Sequence, residues 1–287
     1  MEQAIYLNAD GYCRVLQLTD FHTDVDDALN DRTWQDARAM VSRFRPDLLA
    51  VTGDIWCGDD RPGEAQAWMT RDIDLLDSLA VPWAFTWGNH DWGVEDPAWH
   101  KQVRLAAMAC MPEGDDRGNY RLEIRSRREA RPEWDLYFLN SRTWCLESED
   151  LAWFDAEVAR TRDARGTDVP AIVYTHIPMQ QYEDARVERR IHGLALEDAL
   201  AWGNDRDRGE VFMRTGNVQA VFVGHSHKND FYFVEKNVRF DYGRSTGHGG
   251  YGGEALAKGG KLLTLHENGK FDVCTVFADG STWTPAG

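Results

Sequence analysis

Five short apolar runs, each ending in a cluster of polar side chains able to hold a metal, constrain this chain more than any other feature. The run 15–19 leads into Asp20, Phe21 and His22, and 47–52 leads into Gly53 and Asp54. The run 82–87 leads into Gly88, Asn89, His90 and Asp91. The run 171–175 leads into His176, and 220–223 into Gly224, His225, Ser226 and His227. Runs this short, apolar on successive residues and rich in Val, Ile and aromatics, predict strands buried on both faces. Helical periodicities over 32–44, 65–79 and 152–164 lie between them. The alternation predicts an α/β sheet. Ligands of such sheets bind beyond the carboxyl ends of the strands, where all five clusters fall. Clusters spread from residue 20 to residue 227 must converge, so 1–287 is expected to form a single domain.

The formal net charge is −16, from 48 acidic against 32 basic residues. A surface that negative repels nucleic acid and anionic lipid, so no bulk nucleic-acid binding is expected. A small phosphorylated substrate drawn to bound cations stays compatible with it. Hydrophobic residues make up 43% of the chain, enough for a sizeable core and against disorder. No run approaches about 18 uninterrupted apolar residues, so no membrane span is expected. The first residues carry no basic-then-apolar leader pattern. Cys13, Cys57, Cys110, Cys145 and Cys274 form no CxxC pair. Reduced thiols and a cytoplasmic location are the resulting expectation. The sequence sets no oligomeric state.

Hydrolysing a phosphate ester at neutral pH needs a nucleophile, charge neutralisation on phosphorus and help for the leaving group. Two divalent cations about 3.5–4 Å apart supply all three, by acidifying a shared water and clamping phosphate oxygens. Asp20 and Asp54 would be the only anionic ligands here. Neutral His22, Asn89, His176, His225 and His227 would leave the pair of cations net positive towards a phosphate. The set lacks sulfur, so manganese, iron and zinc all suit it.

Asp20-x-His22, Gly53-Asp54, Gly88-Asn89-His90-Asp91, His176 and Gly224-His225-x-His227, in this order, resemble the calcineurin-like metallophosphoesterases. Finer matches at 53–56, 176–182, 223–231 and 242–252 resemble the purple-acid-phosphatase-like branch. The resemblance implies a four-layer αββα sandwich of two mixed β-sheets flanked by helices. It implies Asp20, His22 and His227 on one metal ion, Asn89, His176 and His225 on a second, and Asp54 bridging both. His90 would contact a phosphate oxygen and help protonate the leaving alkoxide, with Asp91 orienting its ring. The expected activity is a phosphomonoesterase with a metal-bridging hydroxide as nucleophile. A phosphodiesterase acting on cyclic nucleotides or phospholipid head groups is the alternative, and a non-catalytic scaffold of the same fold a remote one. The metal-binding tyrosine of true purple acid phosphatases falls on Cys57, expected to be a buried thiol, so no tyrosinate colour is expected.

The arginine-rich stretch 121–131, with Arg121, Arg125, Arg127, Arg128 and Arg131, predicts a solvated hairpin, with phosphate steering the alternative. The segment 243–252 holds five glycines. It is either a tight loop or an element that brings Arg244 or His248 to the phosphate as substrate-binding residues. Trp56, Trp87 and Trp92 are packing residues or cleft walls. His100, His192 and His266 match no motif and are read as structural. Near the end, 234–242 and 261–277 predict strands, with turns at Asn268-Gly269 and Asp279-Gly280.

Overall fold

The computed structural model describes residues 5–24, 26–56, 64–91, 114–129, 131–141, 144–200 and 208–285. The five apolar runs become parallel strands in two sheets. Strands β2 (Tyr12–Leu18), β3 (Leu48–Thr52) and β4 (Trp83–Thr86) pair side by side in one of them. Strands β6 (Pro132–Phe138), β7 (Ala171–Tyr174) and β9 (Val218–Val223) do so in the other. The remaining strands are β1 (Ile5–Tyr6), β5 (Tyr120–Arg125), β8 (His192–Ala195), β10 (Asn229–Glu235), β11 (Val238–Tyr242), β12 (Gly260–His266), β13 (Phe271–Val276) and β14 (Thr282–Trp283). They complete an eight-stranded sheet, β1-β5-β6-β7-β9-β11-β10-β8, and a six-stranded sheet, β14-β13-β12-β2-β3-β4. Both sheets mix parallel and antiparallel pairs.

Three apolar cores define the layers. Helices α1 (Asp27–Phe44) and α2 (Ala65–Asp77) cover the six-stranded sheet, with Trp34, Met40 and Leu76 packed on Leu16, Leu49 and Val51. Between the sheets, Val15, Leu48 and Leu263 meet Trp134, Phe138, Tyr174 and Phe222. Helices α3 (Ser148–Arg165), α4 (Gln180–Val187) and α5 (Arg208–Arg214) cover the eight-stranded sheet through Phe154, Tyr182 and Phe212. The order is therefore αββα, as the resemblance implied. Each large side chain taken fully out of water contributes roughly 1.5–3 kcal/mol, so the middle core alone is a strong clamp between the sheets.

The starts of α1 and α3 lie upstream of the predicted ones, because caps set them and the apolar periodicity begins later, while α2 begins at Ala65 as expected. The Asp26 carboxylate accepts from the N–H groups of Ala28 and Leu29 and opens α1. Glu147 and Asp150 form a capping box that opens α3. The arginine stretch is the predicted hairpin, β5 paired antiparallel with β6. Arg127, Arg128 and Arg131 face water. Arg121 does not: its side chain is 12% exposed and pairs with Glu123, Asp135 and Glu157. Arg165 of α3 joins the same carboxylates, so this end of the hairpin is an ion-pair network and not a solvated face. No helix among the described residues is long and apolar enough to cross a membrane.

Candidate metal centre

Strands β2, β3 and β4 of one sheet and β7 and β9 of the other all release the chain at the same end, across the seam between the sheets. The chain turns sharply there. Asp20, His22, Asp54 and His225 have φ of 55°, 46°, 52° and 85°. A non-glycine residue held in the left-handed region costs about 1–3 kcal/mol and persists only where its surroundings enforce it. Four of the nine such residues among those described stand at this one point, so the strain is concentrated at the strand ends.

The ligand-capable atoms of Asp20, His22 and His227 lie within 4.8 Å of one another, and so do those of Asp54, His176 and His225. His22, Asp54 and His90 make a third such group, so Asp54 takes part in two. Its Oδ2 stands 3.5 Å from His22 Nε2 and 3.1 Å from His176 Nε2. His227 Nε2 is 3.5 Å from Asp20 Oδ1, and Asn89 Oδ1 is 3.2 Å from His176 Nε2. The sequence motif GNHD places Asn89 this way because Gly88 runs against Asp54. A Cβ on Gly88 would fall 2.1 Å from Asp54 Oδ1.

The donor set fits two divalent cations. Asp54 Oδ2 and His225 Nδ1 are buried and make no hydrogen bond among the described residues. Buried polar atoms are nearly always satisfied, and these two point into the same space. His176 Nδ1 faces the Thr52 carbonyl at 2.7 Å and His227 Nδ1 faces the Tyr251 carbonyl at 3.2 Å. A ring nitrogen facing a carbonyl carries the proton, which leaves each Nε2 lone pair turned inward. Oxygen and nitrogen donors in this number suit manganese, iron or zinc.

Electrostatics keep Asp20, Asp54, His22 and His225 in binding form, and His176 is the exception. Burial pushes the Asp20 carboxyl up, but hydrogen bonding to His227 and the His227 charge outweigh it and hold Asp20 well below the usual carboxylate range. Asp54 is likewise held far down, against its own burial, by His176 and His22. Burial lowers His22, and together with His176 it lowers His225 to about 4. Burial opposes a charge on His176, yet Asp54 and Asp20 raise that ring to about 9. His176 thus keeps a proton that a cation would displace.

Residues 13–229 match the family model of the calcineurin-like phosphoesterases. The chain belongs to that family. "Probable inactive purple acid phosphatase 28" of Arabidopsis thaliana is 27% identical to this phosphoesterase chain over 293 residues, covering 85% of it and 72% of the relative. A dimetal phosphatase from Danio rerio superposes with a TM-score of 0.67 at 14% identity, over 96% of this chain and 100% of its own. The purple acid phosphatase PPD1 of yellow lupin seeds gives 0.57 at 12% identity, over 95% and 52%. At those identities the two structures share the fold alone.

Within this calcineurin-like phosphoesterase, the seven expected ligands come together and His90 joins them. His90 is half-buried, its ring lies edge-on to His22 with 5.0 Å between centroids, and its N–H donates to Asp54 Oδ1 at 2.9 Å. Asp91 behaves differently from expectation. Its carboxylate is fully buried and accepts from the N–H groups of Gly88, Asp54 and Ile55, at 2.7, 2.9 and 2.8 Å. Through both of its oxygens it anchors the Asp54 turn, a role its motif did not suggest. Arg244 is held by Asp230 and the Ala257 carbonyl, and His248 by Asp36. Neither lines the cavity above the cluster, where one of the two readings of the segment brought Arg244 or His248 to a phosphate.

The glycine-rich segment nevertheless reaches the centre. The N–H groups of Thr246 and Gly247 donate to the Thr19 and Asp20 carbonyls at 2.8 and 3.0 Å. The Tyr251 ring stacks on His227 with 4.1 Å between centroids. Tyr251 and Glu197, bonded to each other at 2.8 Å, form part of the cavity wall. Tyr251 lies within the 242–252 match, from which no role for it was read, and Glu197 lies in no motif. Trp56 and Trp87 are buried and pack edge-to-face, so they are core and not cleft wall. His192 stacks on Tyr232 and His266 faces Asp272, away from the centre. Cys57, Trp92, His100 and Cys110 lie outside the described residues.

Proposed function

We propose that this single-domain chain hydrolyses phosphomonoesters with two divalent cations held in the cluster. The observation that carries the reading is the meeting of five strand ends around one carboxylate, Asp54, that belongs to two metal-capable groups at once. Asp20, His22 and His227 hold one cation, Asn89, His176 and His225 the other, and Asp54 both. When bound, the cations supply charge for the phosphate and an acidified water.

Two divalent cations bring four positive charges and Asp20 with Asp54 bring two negative ones, so the centre stays net positive towards a phosphate even after the shared water gives up a proton. The cavity above the cluster, about 400 Å³, is lined by His22, His90, His225, Tyr251 and Glu197 and by no Lys or Arg among the described residues. A single phosphate is served there by the cations and histidines, while a second anionic group would face Glu197. His90 donates the proton to the leaving alkoxide; its place in the cavity wall beside His22 supports that role. The Arabidopsis relative bears the word inactive in its name. The opposite reading for this chain rests on the complete ligand set together with His90.

The test is elemental analysis of untreated protein, followed by matched mono- and diesters with each metal reconstituted. About two metal equivalents per chain and faster monoester turnover are expected. His90→Asn keeps both metals and lowers kcat by roughly 10²- to 10⁴-fold. Two bound metals with no turnover of either ester would assign the inactive reading, and faster diester turnover would reverse the substrate.

A further inference from the structure

Lys258 is 8% exposed, and its ammonium donates to two neutral acceptors, Ser245 Oγ and the Tyr251 carbonyl, both at 3.0 Å. The buried Lys261, by contrast, sits between Asp230 and Asp241. An ammonium taken out of water without a carboxylate is unfavourable, so a chain that keeps one there gains something from its hydrogen bonds. Both bonds lead to the same metal-capable group. Ser245 forms a parallel bridge to Thr19, the neighbour of Asp20. The Tyr251 carbonyl that accepts from Lys258 also faces His227 Nδ1. Between these anchors the chain passes over His22 and His227 so closely that a Cβ on Gly250 would lie 2.6 Å from His227 Nδ1 and 3.1 Å from His22 Cδ2. Asp20, His22 and His227 are the three members of one group. The Tyr251 bond of Lys258 leads to His227 alone, and its Ser245 bond reaches His176 only at one further remove, through Thr19 and the Thr52 carbonyl.

We propose that Lys258 is a positioning residue for one metal subsite and not the other: it fastens the strap 245–258 over Asp20, His22 and His227 and so fixes the direction of His227 Nε2. The proposal rests on the dinuclear reading above. Its sign is diagnostic. A positive charge beside two cations repels them, so on charge alone Lys258→Met would tighten metal binding. Loss of the clamp loosens it instead, at one subsite.

The experiment is calorimetric titration of the metal-free chain with Mn²⁺ and Zn²⁺, with thermal unfolding of the metal-free proteins alongside. Wild type takes up two equivalents. Lys258→Met weakens one of them by roughly 10- to 100-fold, the usual effect of removing support from a metal-bound histidine, and leaves the other unchanged. Lys258→Gln, which keeps an N–H donor without the charge, recovers most of the affinity. Tyr251→Ala removes the half-exposed ring stacked on His227 without touching the core, and weakens the same equivalent. In a His227→Ala background, where only the second subsite remains, Lys258→Met changes nothing. Wild-type or tighter binding in both Lys258→Met and Tyr251→Ala, or equal weakening of both equivalents, overturns the proposal alone. A wild-type chain that binds fewer than two equivalents overturns the dinuclear reading as well.

Discussion

Replacing Asp91 with Asn separates the structural role of this residue from the ring-orienting role that its motif suggests. The carboxylate accepts two N–H groups on Oδ2, from Gly88 and Asp54, and one on Oδ1, from Ile55. An amide that keeps its oxygen at the two-donor position turns its NH₂ towards the Ile55 N–H. One buried donor is then left unsatisfied, at about 1–3 kcal/mol. Asp91→Ala strands all three, which by simple addition reaches roughly 3–9 kcal/mol and rivals the whole stability of a typical domain. The assay is urea unfolding of the metal-free proteins at pH 8, where Asp91 is ionised, since burial and the Asp54 charge raise it to about 7. A midpoint shift at constant slope reads the loss of stability. Metal uptake should fall in step, because the same N–H groups hold the Asp54 turn. An Asp91→Asn chain with wild-type midpoint and metal content but reduced kcat would refute this account and restore the carboxylate to the His90 ring.

Gly250→Ala should expel metal from the Asp20, His22 and His227 group, because the added Cβ would lie 2.4 Å from His227 Cε1 and force the ring aside. Elemental analysis would then find about one equivalent fewer, while overpacking itself costs the fold only about 1–3 kcal/mol. Asp72 is fully buried on α2, accepts from Thr23 Oγ1, and is raised by burial from 3.8 to about 6. A folded value above the unfolded one gives stability that is complete below pH 3.8 and is lost as pH rises through 6. Asp72→Asn removes that loss, so it should match wild type at pH 3.5 and exceed it by up to about 3 kcal/mol at pH 8. A stability difference that does not vary with pH would contradict the assignment.

The strands and the metal-capable residues at their ends were legible in the sequence because both rest on side-chain type, while the four layers came from the family resemblance. Buried parallel strands require unbroken apolar runs, and 171–174 or 220–223 can be little else. A metal pair requires Asp, His and Asn at their ends. What supports the ligands was not legible, since it is largely main chain. The acceptors facing His176 and His227 are the carbonyls of Thr52 and Tyr251, which any residue type supplies. The donors that hold Asp91 are N–H groups, and a motif cannot tell whether a carboxylate serves the ring before it or the turn across from it. Arg244 and His248 show the converse. Their side chains invite a phosphate, yet Asp230 on the neighbouring strand β10 takes Arg244, and Asp36, 212 residues away, takes His248.

The strained residues and the hydrogen bonds between the strand ends are one arrangement seen from two sides. Asp20 N–H donates to the Gly53 carbonyl and His22 N–H to the Asp54 carbonyl, both at 3.0 Å. His225 N–H donates to Asp20 Oδ1 at 3.0 Å, and His90 N–H to Asp54 Oδ1. Each left-handed turn is therefore held by a turn from another strand, and no single loop could keep its φ alone. The sheets fix where the strands end, and the ends fix one another. A cation entering such a place meets donors whose directions are already set, so little of its binding energy is spent on ordering the chain. The exception is the side covered by 245–258. There the last enclosing element arrives from a separate part of the fold, bonded to the strand ends at Thr246 and Gly247 and held across its Ser245 and Tyr251 positions by Lys258. On the role proposed for Lys258, the group of Asp20, His22 and His227 is where metal content should first respond to mutation in 245–258.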